Sequence, residues 1–162
     1  MITEKSDEYW MSKALAEGAR ARLKDEVPVG CVIVHGGRII ARGHNLRESS
    51  HDPSSHAELT AIRKAAKKLG SWRLPDTILY VTLEPCLMCM GGIILARIPR
   101  VVFGCSDPKG GAAGSLYDLS SDSRLNHRVE VVSGVLKREC SEMLSDFFRE
   151  IRASKKRTAI DS

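Results

Sequence analysis

Ile78-Leu79-Tyr80-Val81-Thr82-Leu83-Glu84-Pro85-Cys86-Leu87-Met88-Cys89 is the stretch on which the reading of the fold turns. The run from Ile78 to Leu83 is almost wholly apolar, as a strand buried on both faces requires. Glu84-Pro85 then predicts a helix start, because the fixed φ and missing N–H of proline are tolerated in a first helical turn. A buried strand feeding directly into a helix is the βα unit of an α/β protein.

The neighbouring segments extend this pattern. Asp7 to Lys24 has helical periodicity, with Trp10, Ala14, Leu15, Ala19 and Leu23 on one stripe. Cys31-Val32-Ile33-Val34 and Arg38-Ile39-Ile40-Ala41-Arg42 are strand-like runs around Gly36-Gly37 and predict a β-hairpin. The polar segment from Arg47 to Ser55 reads as a loop, and His56 to Leu69 as a helix closed by Gly70. Beyond the central stretch come a strand at Arg100 to Phe103 and a Gly-rich loop from Gly104 to Gly114. A strand at Val129 to Val132 follows, then a helix from Leu136 to about Ala153. The hairpin supplies antiparallel pairing and the helical crossovers favour parallel neighbours. The expected fold is therefore a mixed sheet of about five strands with helices on both faces.

The chain has 162 residues, 43% of them hydrophobic, which suits one domain with one core. No apolar run approaches the roughly 20 residues of a membrane span. The start, Met1 to Glu8, is acidic and lacks the basic and apolar regions of a signal peptide, so a cytoplasmic protein is expected. Its 5 cysteines make an odd number, which argues against a disulfide framework. Cys31 and Cys140 read as small core residues, while Cys105 falls at a strand end beside the Gly-rich loop. The net charge of +5 favours a polyanionic partner. Arg149, Arg152, Lys155, Lys156 and Arg157 fit such a partner, or equally a solvated helix end whose cations complement the dipole.

The chemistry lies in two motifs. Cys86 and Cys89 stand three apart at a helix start, where their sulfurs can share one ion and unpaired N–H groups favour thiolate. Alone, the pair is equally a thioredoxin-like redox motif. His56 opens the earlier helix with Glu58 two residues on; alone, Ser55-His56-Ala57-Glu58 is also a helix capping box. Together the motifs favour a catalytic zinc site, since a redox pair has no use for a histidine–glutamate pair at a second helix start. His56, Cys86 and Cys89 give three ligands, leaving the fourth position to a water. Two thiolates cancel the charge of the ion, so such a water is less acidified than on an all-histidine centre. A base at Glu58 then matters more. The remaining histidines, His35, His44, His51 and His127, lack partners at ligand spacing.

These motifs and their surroundings resemble the bacterial tRNA-specific adenosine deaminase family, a branch of the cytidine deaminase superfamily. The metal motifs alone reach only the superfamily. The branch is marked by Glu26 to Gly30, Tyr80 to Cys86, Arg100 to Gly104, Gly111 to Leu116, Asn126 to Glu130 and Ser145 to Arg149, so the likeness spans nearly the whole chain. The resemblance implies a three-layer α/β/α sandwich, residues 1–162 forming a single deaminase domain with a basic C-terminal helix and tail from about 136. It also implies hydrolytic deamination of adenosine to inosine at the wobble position of the tRNA anticodon. One Zn2+ with a catalytic water per subunit, a homodimer and a tRNA anticodon stem-loop as partner go with that activity.

The resemblance assigns roles residue by residue. Glu58 would shuttle protons, and Asn45 would hydrogen-bond the flipped base, although spacing alone also allows a turn asparagine. The Ala57 amide would help hold the base, and Val27, Pro28 and Val29 would wall the pocket. Asp107 would stand near the ribose, whose 2′-OH separates RNA from DNA. Phe147 and Phe148 point about 100° apart on a helix. One, Phe148 by this reading, can face RNA or the partner while the other packs on the core; alternatively both pack. Other open readings are a deaminase of free bases or nucleotides, with the same zinc and glutamate, and a zinc-stabilised RNA-binding module.

Overall fold

The computed structural model describes residues 4–161. Met1, Ile2, Thr3 and Ser162, which the sequence places in the acidic start and the basic tail, lie outside the described residues. The elements are α1 (Asp7–Arg22), β1 (Gly30–His35), β2 (Arg38–His44), α2 (Ala57–Leu69), β3 (Thr77–Leu83), α3 (Leu87–Leu95), β4 (Arg100–Cys105), β5 (Glu130–Val132) and α4 (Lys137–Ile160). The strands form one sheet in the order β2-β1-β3-β4-β5. Pairing is antiparallel between β1 and both of its neighbours, and parallel from β3 through β5.

Local chemistry explains the connections. Gly36 and Gly37 close the hairpin at φ 56° and 71°, the left-handed conformation of both central residues of a tight type I′ turn. Alternation along β1 divides the core into two layers. Cys31 and Ile33 join Leu79, Val81, Val101, Met90 and Ile93 under α2 and α3. Val32 and Val34 face the other way, toward Trp10, Met11, Tyr80, Val102 and Cys140 under α1 and α4. The result is the three-layer α/β/α sandwich with a mixed sheet. Each fully buried aliphatic side chain here contributes roughly 1.5–3 kcal/mol of apolar burial.

Several boundaries differ from the sequence reading. The buried face of α1 is Trp10, Met11, Ala14, Glu17, Gly18 and Ala21, which brings small residues against the sheet. Ala19 is exposed, and Leu23 lies past the last helical residue at 87% exposure. Helix α2 begins at Ala57 with His56 as N-cap, and the capping box is not made. Ser55 Oγ is engaged instead with Ser50 and Asp52. Helix α3 begins at Leu87 with Cys86 as N-cap, so Pro85 stands just outside the first turn rather than in it. Helix α4 runs on to Ile160, because its polar end continues helical without burying a second apolar face. Among the described residues no helix is long and apolar enough to cross a membrane.

Candidate metal centre and pocket

Two helix N-termini converge at one end of the sheet. The N-cap of α2 is His56 and that of α3 is Cys86, both with extended backbone. Cys89 follows in the first turn of α3. Neither cap side chain is spent on a capping hydrogen bond, so both are available to a ligand. His56 Nδ1 lies 3.6 Å from Cys86 Sγ and 3.5 Å from Cys89 Sγ. A tetrahedral zinc with its usual N and S bond lengths sets its nitrogen and sulfur ligands roughly 3.6 Å apart. The three ligand atoms all lie within 4.8 Å of one another, and among the described residues no other such group of three is found. The spacing, the donor set and the half-buried setting therefore fit a tetrahedral ion. Both cysteines are free thiols rather than a disulfide.

The electrostatics agree. A hydrogen bond from the Cys89 thiol draws the Cys86 pKa down to about 4, with His56 beside it lowering it further. The reciprocal contact and burial push Cys89 well above the ordinary thiol range. A thiol must lose its proton to bind a metal, which couples metal binding to pH. The Cys86 thiolate also raises the pKa of His56. Glu58, only 4% exposed, is pushed up to about 7 by burial. A carboxyl poised near neutrality is suited to take a proton and return it.

A cavity of about 260 Å3 opens onto these groups. It is lined by Val27, Val29, Asn45, Arg47, His56, Ala57, Glu58, Leu83, Glu84, Cys86, Asp107 and Phe148. Most of the residues singled out in the sequence meet here. Pro28, expected in the pocket wall, does not line the cavity; it is buried between Val27 and Val29 in the chain. Asn45 is 7% exposed, and its side chain also serves the loop: Nδ2 donates to Val27 O at 3.3 Å, and Oδ1 accepts from Arg47 N at 3.1 Å. The second N–H of the amide has no part in these two bonds. The two phenylalanines divide as one of the two readings requires, with Phe147 6% and Phe148 43% exposed.

Two buried carboxylates, Glu84 in the cavity lining and Glu26 next to Val27, fall in the family-like segments of the sequence, which assign them no role. Glu26 is 0% exposed and accepts from the amides of Glu48 and Ser49 and from Ser49 Oγ. Glu84 is 2% exposed and accepts from the amides of Asp107, Ala113 and Ser115. Both are held below the usual carboxylate range: burial opposes ionisation, but the combined hydrogen bonds outweigh it.

The profile of the MafB19-like deaminases matches residues 5–152. The tRNA-specific adenosine deaminase of Bacillus subtilis is 54% identical over 150 residues, 93% of this chain and 93% of that protein. The chain belongs to the tRNA-specific adenosine deaminase family. A solved deaminase structure, from work on A-to-I editing by tRNA:A34 deaminases at the wobble position of transfer RNA, is 45% identical. It superposes with a TM-score of 0.81 over 84% of this chain and 99% of its own. A guanine deaminase structure from Bacillus subtilis is 40% identical at a TM-score of 0.63, covering 68% of this chain and 71% of its own. The chain and its fold are thus those of a deaminase.

Proposed function

We propose that this chain, as one deaminase domain with a basic C-terminal helix, hydrolyses adenosine to inosine at the wobble position of a tRNA anticodon, using zinc held by His56, Cys86 and Cys89. The observation that carries the reading is the 3.5 and 3.6 Å spacing of one nitrogen and two sulfurs beside a buried glutamate. Kinship supports the choice of RNA over a free base: identity is 54% to a tRNA-specific adenosine deaminase and 40% to a guanine deaminase.

Zinc held by His56, Cys86 and Cys89 would supply a Lewis acid that makes water easier to deprotonate. Glu58 would take a proton from the attacking water and deliver it to the adenine ring nitrogen. The water oxygen adds to the ring carbon bearing the amine. Glu58 then takes the proton of the added hydroxyl and passes it to the departing amine as the carbonyl forms and the C–N bond breaks, so adenosine and water become inosine and ammonia. Asn45 and the Ala57 amide hydrogen-bond the extruded base, and Val27 and Val29 pack its faces. Asp107 stands at the ribose, and Phe148 closes the mouth against a flanking nucleotide. An extruded base needs apolar walls with polar groups among them, and the cavity supplies Val27, Val29, Leu83 and Phe148 beside Asn45, Glu58 and Asp107.

Arg149, Arg152, Lys155, Lys156 and Arg157 are exposed along the outer part of α4 and supply positive charge for the RNA backbone. Leu87, Met88 and Leu95 leave apolar surface on α3, at 47%, 37% and 70% exposure, which supports a homodimer. The free thiols and a tRNA substrate fit a cytoplasmic setting.

The test is incubation of the purified protein with an anticodon stem-loop RNA, followed by reverse transcription and sequencing, in which inosine reads as guanosine. Parallel incubations with free guanine and cytosine complete it. Conversion of the wobble adenosine is expected. Turnover of a free base with intact RNA would replace this reading with a free-base deaminase.

A further inference from the structure

We propose that Glu84 is a positioning residue that sets Asp107 against the pocket by holding the loop between β4 and β5; the inference rests on the RNA-deaminase reading of the pocket. Glu84 directly precedes Pro85 and the ligand Cys86, and its carboxylate is buried. Asp107 N donates to Oε1 at 3.1 Å, while Ala113 N and Ser115 N donate to Oε2 at 3.1 and 3.0 Å. Ser115 Oγ adds a fourth, short contact to Oε1. All four donors are neutral, and all lie in one loop. The carboxylate therefore acts as an acceptor that gathers backbone N–H groups, in the way a buried anion organises a backbone nest.

The loop is shaped around this group. A Cβ on Gly111 would come within 2.3 Å of the Glu84 carboxylate, so only glycine lets the chain pass there. Ala112 N donates to Pro85 O at 2.8 Å, and Cys86 pairs with Gly111 as an isolated antiparallel bridge. The stretch carrying the metal ligand is thereby fastened to the loop twice, through its backbone and through the Glu84 side chain. Asp107 then closes its own turn, its Oδ1 accepting from the amides of Lys109 and Gly110. The distance from the pocket wall at Asp107 to the metal end is fixed by this clamp rather than by the strands alone. Contacts to the ribose side of a substrate depend on it, whereas Glu58, carried by α2, has no hydrogen bond to this loop among those that hold it.

The test uses the zinc-loaded full chain and the variants Glu84→Gln, Asp107→Ala and their double. Glu84→Gln keeps size but turns one acceptor into a donor facing N–H groups. It is expected to raise KM for the stem-loop RNA about tenfold with kcat within about threefold, the signature of weakened binding rather than impaired chemistry. Because Glu84 acts through Asp107, the double variant should be no worse than the poorer single. Hydrogen exchange gives a readout independent of turnover: the amides of Asp107, Ala113 and Ser115 should exchange faster while those of α3 and the zinc content stay unchanged. Should Glu84→Gln not fold, Ser115→Ala, which removes one donor, should show the same pattern at smaller size, and Glu84→Asp should restore part of the clamp. Multiplying effects in the double variant, or unchanged exchange of the three amides, overturns the proposal. A wild-type protein inactive on RNA would overturn the functional reading instead, and the exchange experiment would still decide the clamp.

Discussion

Cys86 and His56, separated by 30 residues, cap two different helices with their ligand atoms 3.6 Å apart. Both helix N-termini therefore aim their positive ends at one point, and both caps leave their side chains to a ligand. Cys86→Ala removes one of two thiolates from this arrangement. It should lower zinc content well below one per chain and lower the melting temperature, since metal binding is folding free energy. Metal analysis and thermal melts check it; full occupancy in the variant would refute the ligand assignment.

Glu58→Gln keeps every ligand and nearly the same volume. Turnover of stem-loop RNA should fall by about 10²–10⁴, the usual worth of a positioned acid–base group. Zinc content should stay at the wild-type level. Since burial already pushes the Glu58 carboxyl up to about 7, a neutral amide there should not weaken the fold at neutral pH. Single-turnover kinetics beside chemical melts separate the two effects.

Asp7 ties α1 to β3 and β4. It accepts from Arg100 at 2.9 and 3.0 Å and from the Tyr80 hydroxyl at 2.7 Å. The Arg100 hydrogen bonds, with help from Tyr80, hold its carboxyl below the usual range despite partial burial. A depressed folded pKa stabilises above the unfolded value of about 3.9, and that stabilisation disappears as pH falls through the folded value. Asp7→Asn should therefore cost about 1–2 kcal/mol at pH 7 and less at about pH 3. Urea unfolding of both proteins at the two pH values measures the difference; an equal cost at both would remove the ion pair from the account.

Gly43 sits under the first turn of α2. A Cβ there would meet Ala57 O at 2.3 Å and Ala61 N at 2.9 Å, and these are backbone atoms that cannot rotate away. Gly43→Ala should destabilise by ~1–3 kcal/mol, the range of overpacking. Lifting α2 also displaces His56, so a chelator should strip zinc faster than from the wild type. A variant with reduced stability and unaltered zinc release would separate the helix from the metal site.

The exposed cations of α4 follow Phe148, the residue of that helix that lines the cavity. Replacing Arg152, Lys155, Lys156 and Arg157 by alanine should raise KM for stem-loop RNA with little change in kcat. It should also flatten the dependence of affinity on salt, by about one unit of slope for each phosphate no longer neutralised. Binding titrations at several salt concentrations read both. An unchanged slope would reduce the cluster to a solvated helix end.

Much of the fold is legible in the sequence because its signals are local. The hairpin turn needs φ > 0 at two positions and has Gly36-Gly37; helix α2 needs a left-handed stop and has Gly70 at φ 64°. The buried β3 run and the cysteines three apart at the head of α3 are equally plain. The signals that mislead are also local in kind: Ser55 and Glu58 match a capping box, but the loop before the helix takes one and burial takes the other. Ser55 is held by Ser50 and Asp52, and Glu58 is buried in the pocket wall. The buried face of α1 departs from the apolar stripe because Glu17 is buried and tied to His44, which no apolar period reveals.

By itself the amino-acid order determined which residues could form strands, helices, turns and metal ligands, since those choices rest on backbone sterics and donor chemistry within a few residues. Only the tertiary structure decided that His56 and two distant sulfurs stand at tetrahedral spacing, that Asn45, Arg47 and Asp107 share one cavity, and that Glu26 holds the loop at Glu48 and Ser49 while Glu84 holds the loop at Asp107. Those relationships join residues far apart in the chain. Burial gives a lone carboxylate its reach, because inside the fold it must find backbone N–H groups, and nothing in the neighbouring residues says which ones.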